Sequence, residues 1–473
     1  MVFSSHIFLF YFLPLALAGY FLLPRSFRHP WLTVMSYIFY GWWNPPFVLL
    51  MLASTAIDYG CGKIITRPGA SPASRKTGMI LSIVSNLSIL AFFKYTAMGL
   101  QSVDWLSTAF GGHPVEVPDF FRHIVLPLGI SFYTFQSMSY SIDLYRGHAR
   151  PAPSFMDFAC YVSLFPQLVA GPIVRYGSIA DQLVERPQTL PIFASGLARF
   201  GWGLAKKVLL ADAMAPIADA AFEAGAGNLT PITAWLGVLA YALQIYFDFS
   251  AYSDMAIGLG RLFGFRFVEN FNSPYKSASI TEFWRRWHIS LSSFLRDYLY
   301  IPLGGNRKGT ARTYINLMLV MLIGGLWHGA AWTFVAWGGI HGVMLAWERL
   351  VARRGLFGSV PRPLKVALTF VIVLITWVFF RAESFDIAWR YLAAMAGLEN
   401  LAPTAPLLAE QMLTDSRLLH LIAGSMIVFW APNTQTILQR FTVTKGLFGL
   451  ALLVLAIAVL MARGYSPFLY FQF

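Results

Sequence analysis

Two histidines sit in settings that suit proton transfer. His328 lies in Gly324-Gly325-Leu326-Trp327-His328-Gly329, inside apolar sequence, and His288 lies in Arg285-Arg286-Trp287-His288. Imidazole is the side chain whose ordinary pKa lets it take and return a proton near neutral pH. Arg312 precedes the apolar stretch around His328, and Arg349, Arg353 and Arg354 follow it. Cations favour the cytoplasmic side of a membrane, so both ends belong on one side and the spacing predicts a hairpin turning at His328-Gly329. At about 1.5 Å per residue, His328 stands roughly 24 Å along the axis from Arg312. An ionisable group at that depth is expensive and points to function. The flanking glycines let other backbone, or a ligand, come close. His341, on the returning limb, is a candidate partner for His328, although packing is the simpler reading of it.

Upstream, Gln244–Asp254 places Asp248 and Asp254 inside an apolar helix. Asp248 and Tyr252 are one turn apart and can share a face, as can Ser250 and Asp254. Buried acids need partners. Arginine or histidine is the expected one, which leaves Asp248 either a structural ion pair or an orienting charge for a catalytic histidine. Asp58 and Asp143 are also embedded, but each stands alone and reads as packing. The sequence has no nucleophile elbow, metal-ligand cluster or phosphate-cradling glycine loop. Cys61 and Cys160 lie in apolar stretches as buried thiols and make no metal site. The chemistry left is a histidine base acting on an acyl donor supplied from outside.

The elements that must hold these residues belong to a membrane. Hydrophobic residues make up 57% of the 473, and charged residues only 12%, against about 25% in soluble domains. Mean hydropathy is +0.58. These values exclude a soluble enzyme, a disordered chain and a disulfide scaffold. The net charge of +13 suits cytoplasmic loops and anionic headgroups. No zinc-finger spacing or RNA-binding motif accompanies it, so nucleic acid is not expected. Apolar runs recur near 7–23, 31–55, 78–98, 120–142, 156–173, 192–219, 230–262, 313–327, 331–350, 364–381, 417–431 and 445–463. They predict an all-α polytopic protein of roughly 10–13 transmembrane or re-entrant helices, forming one membrane-embedded domain over 1–473. A barrel would show ten-residue alternating segments instead. Only His6 precedes the first run, and Arg25 and Arg28 follow it. The first helix therefore stays attached as a span with its N-terminus outside. No internal repeat is found, which counts against a transporter built from inverted halves.

Between Thr281 and Arg312, Arg285, Arg286, Arg296, Arg307, Lys308 and Arg312 stand against Glu282 and Asp297. On a helical wheel Trp284, Trp287, His288, Leu291, Leu295 and Tyr298 share one side, and Arg285, Arg286, Ser292 and Arg296 the other. This predicts an amphipathic helix at the cytoplasmic interface, broken afterwards by Pro302 and the Gly304-Gly305 pair.

Several of these stretches resemble the membrane-bound O-acyltransferase family, and within it the bacterial alginate O-acetyltransferase branch. The residues that carry the resemblance are Gln244–Gly260 (QIYFDFSAYSDMAIGLG), Asn270–Tyr275 (NFNSPY), Thr281–Arg307 and Gly324–Ala330 (GGLWHGA). Met1–Pro14, Leu126–Gly147, Phe165–Pro172 and Tyr465–Phe473 extend it over almost the whole chain, most firmly from about 126 to 345. The resemblance implies helices around a funnel or tunnel, with His328 as the deep family histidine and His288 as the second. It implies acetyl transfer from a cytoplasmic donor, acetyl-CoA, toward an exported polysaccharide such as alginate or cellulose. Relatives acting on teichoic acids take the acyl group from a carrier protein. No tightly bound cofactor or metal is implied. Expected partners are membrane lipid, a periplasmic acetyltransferase that completes the transfer, and the synthesis and export machinery, at the bacterial inner membrane with the N-terminus periplasmic. His328 is then the general base, and His288 positions the donor or assists the proton. Asp248, Tyr252, Trp327, Asn270, Arg285 and Arg286 bind or orient. Two other readings compete: acyl transfer to a lipid or protein, and an ion or solute path through Asp248, Asp254 and the histidines.

Overall fold

Lipid offers a backbone no hydrogen-bond partner, so apolar runs of this length must close their own hydrogen bonds as helices. A computed structural model describes residues 1–114, 118–122, 124–353, 360–463 and 468–469. Arg354, and the Tyr465–Phe473 motif apart from Phe468 and Leu469, lie outside the described residues. Among the described residues six helices are long and apolar enough to cross a membrane: Pro46–Thr66, Pro72–Ala109, Pro231–Leu262, Thr310–His328, Arg362–Arg381 and Val443–Arg463. Ala405–Met412 and Asp415–Trp430, bent by 64°, make a seventh if counted as one span.

Several of the other apolar runs resolve into shorter pieces, while the run at 331–350 is the single helix Trp332–Arg353. The run expected at 31–55 splits into Arg28–Gly41 and Pro46–Thr66, because Pro45 and Pro46 cannot continue the first helix. The run at 156–173 is helical only over Phe155–Ser163. The run at 192–219 is interrupted by a π-helical turn at Lys206–Ala211, between Leu190–Ala205 and Asp212–Phe222. Such wide turns inside helices mark functional or packing demands, and here the turn carries two lysines.

The chain packs as two units, Met1–Gly196 with Ala256–Val268, and Leu197–Met255 with Glu269–Phe473. In the first, Pro46–Thr66 and Pro72–Ala109 pack on Ile130–Arg146, which is buried from Ile130 through Leu144. Asp58 accepts hydrogen bonds from Ser82 Oγ (2.6 Å) and Asn86 Nδ2 (2.8 Å), which joins two spans.

The second unit contains the hairpin. Thr310–His328 and Trp332–Arg353 are antiparallel limbs joined by residues 329–331, so the turn falls where the flanking arginines put it. The limbs touch backbone to backbone along a glycine seam. A Cβ on Gly325 would lie 2.3 Å from the Phe334 carbonyl oxygen, and one on Gly338 2.3 Å from that of Met321. Small residues permit this close approach, and in lipid it is packing rather than the hydrophobic effect that joins helices. The amphipathic helix expected after Thr281 is not continuous. Ile280–Arg286 ends before His288, which takes the left-handed conformation (φ 44°, ψ 54°), and Ile289–Leu295 begins after it. The helical wheel assumed an unbroken helix, and a side chain outside the segment breaks it.

Gly338→Val should therefore lower the melting temperature of the purified protein and reduce the membrane-inserted fraction. Overpacking against backbone that cannot yield costs about 1–3 kcal/mol. Gly339→Ala, whose Cβ meets only Leu322 Cδ2 at 3.6 Å, should leave both unchanged. Equal melting curves for Gly338→Val and wild type would contradict the seam.

Candidate active site

The outgoing hairpin limb ends at His328, which is 5% exposed. Its ring packs against Trp327 (5.1 Å between centroids), Trp337 (5.2 Å) and Phe380 (5.3 Å). The His288 ring lies 6.2 Å away. His288 is fully buried, against Phe249 at 4.7 Å and Trp327 at 5.7 Å. The two histidines, forty residues apart in sequence, thus share one aromatic-walled site.

Asn270 determines how His288 presents itself. The amide oxygen Oδ1 of Asn270 faces the backbone N–H of Ser290 at 3.2 Å. An N–H can only donate, so the atom facing it must be the oxygen. Asn270 Nδ2 meanwhile donates to Ser253 Oγ at 3.1 Å. His288 Nδ1 lies 3.2 Å from the same Oδ1, and an amide oxygen has no proton to give. The hydrogen therefore resides on Nδ1, and Nε2 carries the lone pair. Among the described residues Nε2 has no hydrogen-bond partner. Ile289 N–H donates to the Asn270 carbonyl at 2.9 Å and closes the turn. Burial pushes the His288 pKa down to about 3, so the ring is neutral at physiological pH. A buried site with a neutral imidazole acceptor beside a second imidazole can accept a hydroxyl proton or hold a polarised hydrogen bond.

The other sequence-predicted residues divide. Trp327 touches both histidine rings. Arg285 is exposed, while Arg286 pairs with Glu282 at 2.8 Å and donates to the Asn272 carbonyl. His341 accepts from Trp284 Nε1 at 3.2 Å and packs on Trp337, whose ring lies 5.0 Å from it and 5.2 Å from that of His328. Asp248 was expected beside arginine or histidine. It pairs instead with Lys207 Nζ (2.6 Å) and accepts the Leu469 N–H at 2.8 Å. Tyr252, one turn on, packs edge-on to Phe468 at 4.8 Å. This face of the helix therefore holds Phe468 and Leu469. Asp254 pairs with Arg199 and Lys206.

Sequence reading missed Arg199, Lys206, Lys207 and Glu348. Glu348 on the returning limb accepts from Thr281 N–H (2.9 Å) and Thr281 Oγ1 (2.8 Å), and from Ile280 N–H. The signal available was charge embedded in apolar sequence, the same signal that singled out the aspartates.

A family model for MBOAT, the membrane-bound O-acyltransferase family, matches residues 145–382. The chain is 44% identical to a probable alginate O-acetylase, AlgI, of Azotobacter vinelandii over the whole of both chains. It is 50% identical to the Pseudomonas aeruginosa probable alginate O-acetylase AlgI over 84% of this chain and 75% of that one. It is 36% identical to the peptidoglycan O-acetyltransferase of Helicobacter pylori over 100% of this chain and 98% of that one. Both sequence motifs that carry the histidines fall inside the matched region. The chain belongs to the membrane-bound O-acyltransferase family and is a multi-pass, membrane-bound acyltransferase.

Proposed function

We propose that this enzyme moves acetyl groups from a cytoplasmic donor, acetyl-CoA, for O-acetylation of an exported polysaccharide, directly or by way of periplasmic acetyltransferase partners. The observation that carries this reading is the pair of buried histidine rings 6.2 Å apart at the end of the hairpin. The relatives' names, alginate O-acetylase and peptidoglycan O-acetyltransferase, support a glycan acceptor. The basic residues Arg285, Arg307 and Lys308 suit the phosphates of CoA. Arg25 and Arg28 after the first apolar helix support an inner-membrane protein with a periplasmic N-terminus.

In this mechanism His328 takes the proton from an acceptor hydroxyl as its oxygen attacks the thioester carbonyl carbon. The C–S bond breaks, the new ester forms, and the departing thiolate receives the proton from the imidazolium. His288, held neutral, accepts a hydrogen bond through Nε2 and positions donor or acceptor without itself changing charge. Trp327 closes the site to water between the two rings.

Ester-linked acetate on exported polysaccharide in a deletion strain tests the assignment. Wild type should restore it. His328→Ala at matched membrane level should fall by about 10²–10⁴-fold, the range for a positioned acid–base group. A fall of less than about tenfold would overturn the base assignment, and restoration of no polymer by wild type would overturn the acceptor class.

The pH dependence separates the two histidines. Burial pushes the His288 pKa down to about 3, so the ring contributes no inflection to kcat near neutrality, and His288→Gln should lower kcat while leaving the shape of the pH profile near neutrality unchanged. Disappearance of an inflection near neutral pH in His288→Gln would show that this ring titrates in the cycle.

A further inference from the structure

We propose that Arg199 and Glu269 are positioning residues that hold Asn270, and through it His288, in the orientation acyl transfer requires. The proposal rests on the reading that His288 acts in that transfer.

Arg199 is 2% exposed, on the helix Leu190–Ala205. Its guanidinium bridges two separate segments. Nε donates to Asp254 Oδ1 at 2.6 Å, on the helix Pro231–Leu262. Nη1 and Nη2 donate to the two oxygens of Glu269, at 3.1 and 2.6 Å. This is the planar two-bond fork that only arginine makes with a carboxylate. One residue along each segment, Ser253 and Asn270 are joined by the 3.1 Å hydrogen bond. The two segments are thus cross-linked by parallel rungs, Asp254–Arg199–Glu269 and Ser253–Asn270.

The rungs matter because residues 269–273 form no helix. The backbone ties of this segment, from the Ile289 N–H to the Asn270 carbonyl and from the Asn272 N–H to the Arg286 carbonyl, run to the stretch that carries His288, so the side-chain rungs are what fix Asn270 to the helix Pro231–Leu262. Its amide then fixes the break at His288 and the proton on Nδ1. A shift of the Glu269 end of the fork moves the Asn270 oxygen, and with it the imidazole. A misplacement of about 1 Å can cost roughly 10²-fold in rate.

Glu269 permits a test that folding tolerates. Its side chain is 35% exposed, and Glu269→Gln leaves Arg199 paired with Asp254. Arg199→Lys keeps the buried charge and loses the fork. Steady-state kinetics would use the full-length protein in phospholipid vesicles, with acetyl-CoA as donor and an alginate oligomer as acceptor. Each variant should lower kcat by about tenfold or more with donor KM within about twofold of wild type. In a His288→Gln background, adding Glu269→Gln should cost less than about twofold, because the two changes remove one interaction. The same loss in both backgrounds, or no loss in either, would overturn the proposal. A near-normal rate for His288→Gln alone would instead overturn the role of His288, and is told apart by that single variant.

Discussion

The site depends on the amide of Asn270. A residue other than glycine in the left-handed region costs about 1–3 kcal/mol, and His288 is such a residue. Each neutral hydrogen bond contributes only about 0.5–1.5 kcal/mol, so one would not hold the break. The Asn270 oxygen meets the Ser290 N–H, the Ser290 hydroxyl and His288 Nδ1, while its backbone carbonyl accepts from Ile289. Together these offset the strain. The same contacts leave Nε2 as the lone-pair nitrogen, so local backbone conformation and ring tautomer have one cause.

The second constraint is the hairpin. Its outgoing limb ends at His328. Its returning limb grips the segment that leads to His288, through Glu348 at Thr281 and His341 at Trp284. The glycine seam joins the limbs at backbone contact, and Trp337 packs between the rings of His328 and His341. One packed pair of helices therefore sets the place of one histidine and the approach of the other. Their 6.2 Å ring separation follows from packing that a single methyl group on the seam would disturb.

Much of this was legible in the residues. The arginines flanking the apolar stretch located the turn at His328-Gly329, since charge position along a membrane segment is a strong one-dimensional signal. Membrane helices as the fold class followed from composition. The break at His288 was not legible, because a helical wheel tests faces and assumes continuity. What ends the helix is Asn270, distant in sequence, and tertiary contacts override local propensity. The partner of Asp248 was misjudged in kind, whereas Asp254 has the expected arginine, Arg199, with Lys206 beside it. The lysines that pair with them sit at a π-helical turn, which realigns Lys206 and Lys207 toward the neighbouring helix, and period-based reading carries no sign of such a turn.

The central claim is that Asn270 holds His288 as a neutral ring with its proton on Nδ1. ¹⁵N NMR of the histidine-labelled protein in phospholipid at neutral pH addresses it directly, with His288 assigned by subtraction of the His288→Gln spectrum. The account predicts a protonated Nδ1 and an unprotonated Nε2, unchanged as the pH is lowered to about 5. An Nε2-protonated ring, or an imidazolium appearing over that range, would contradict it.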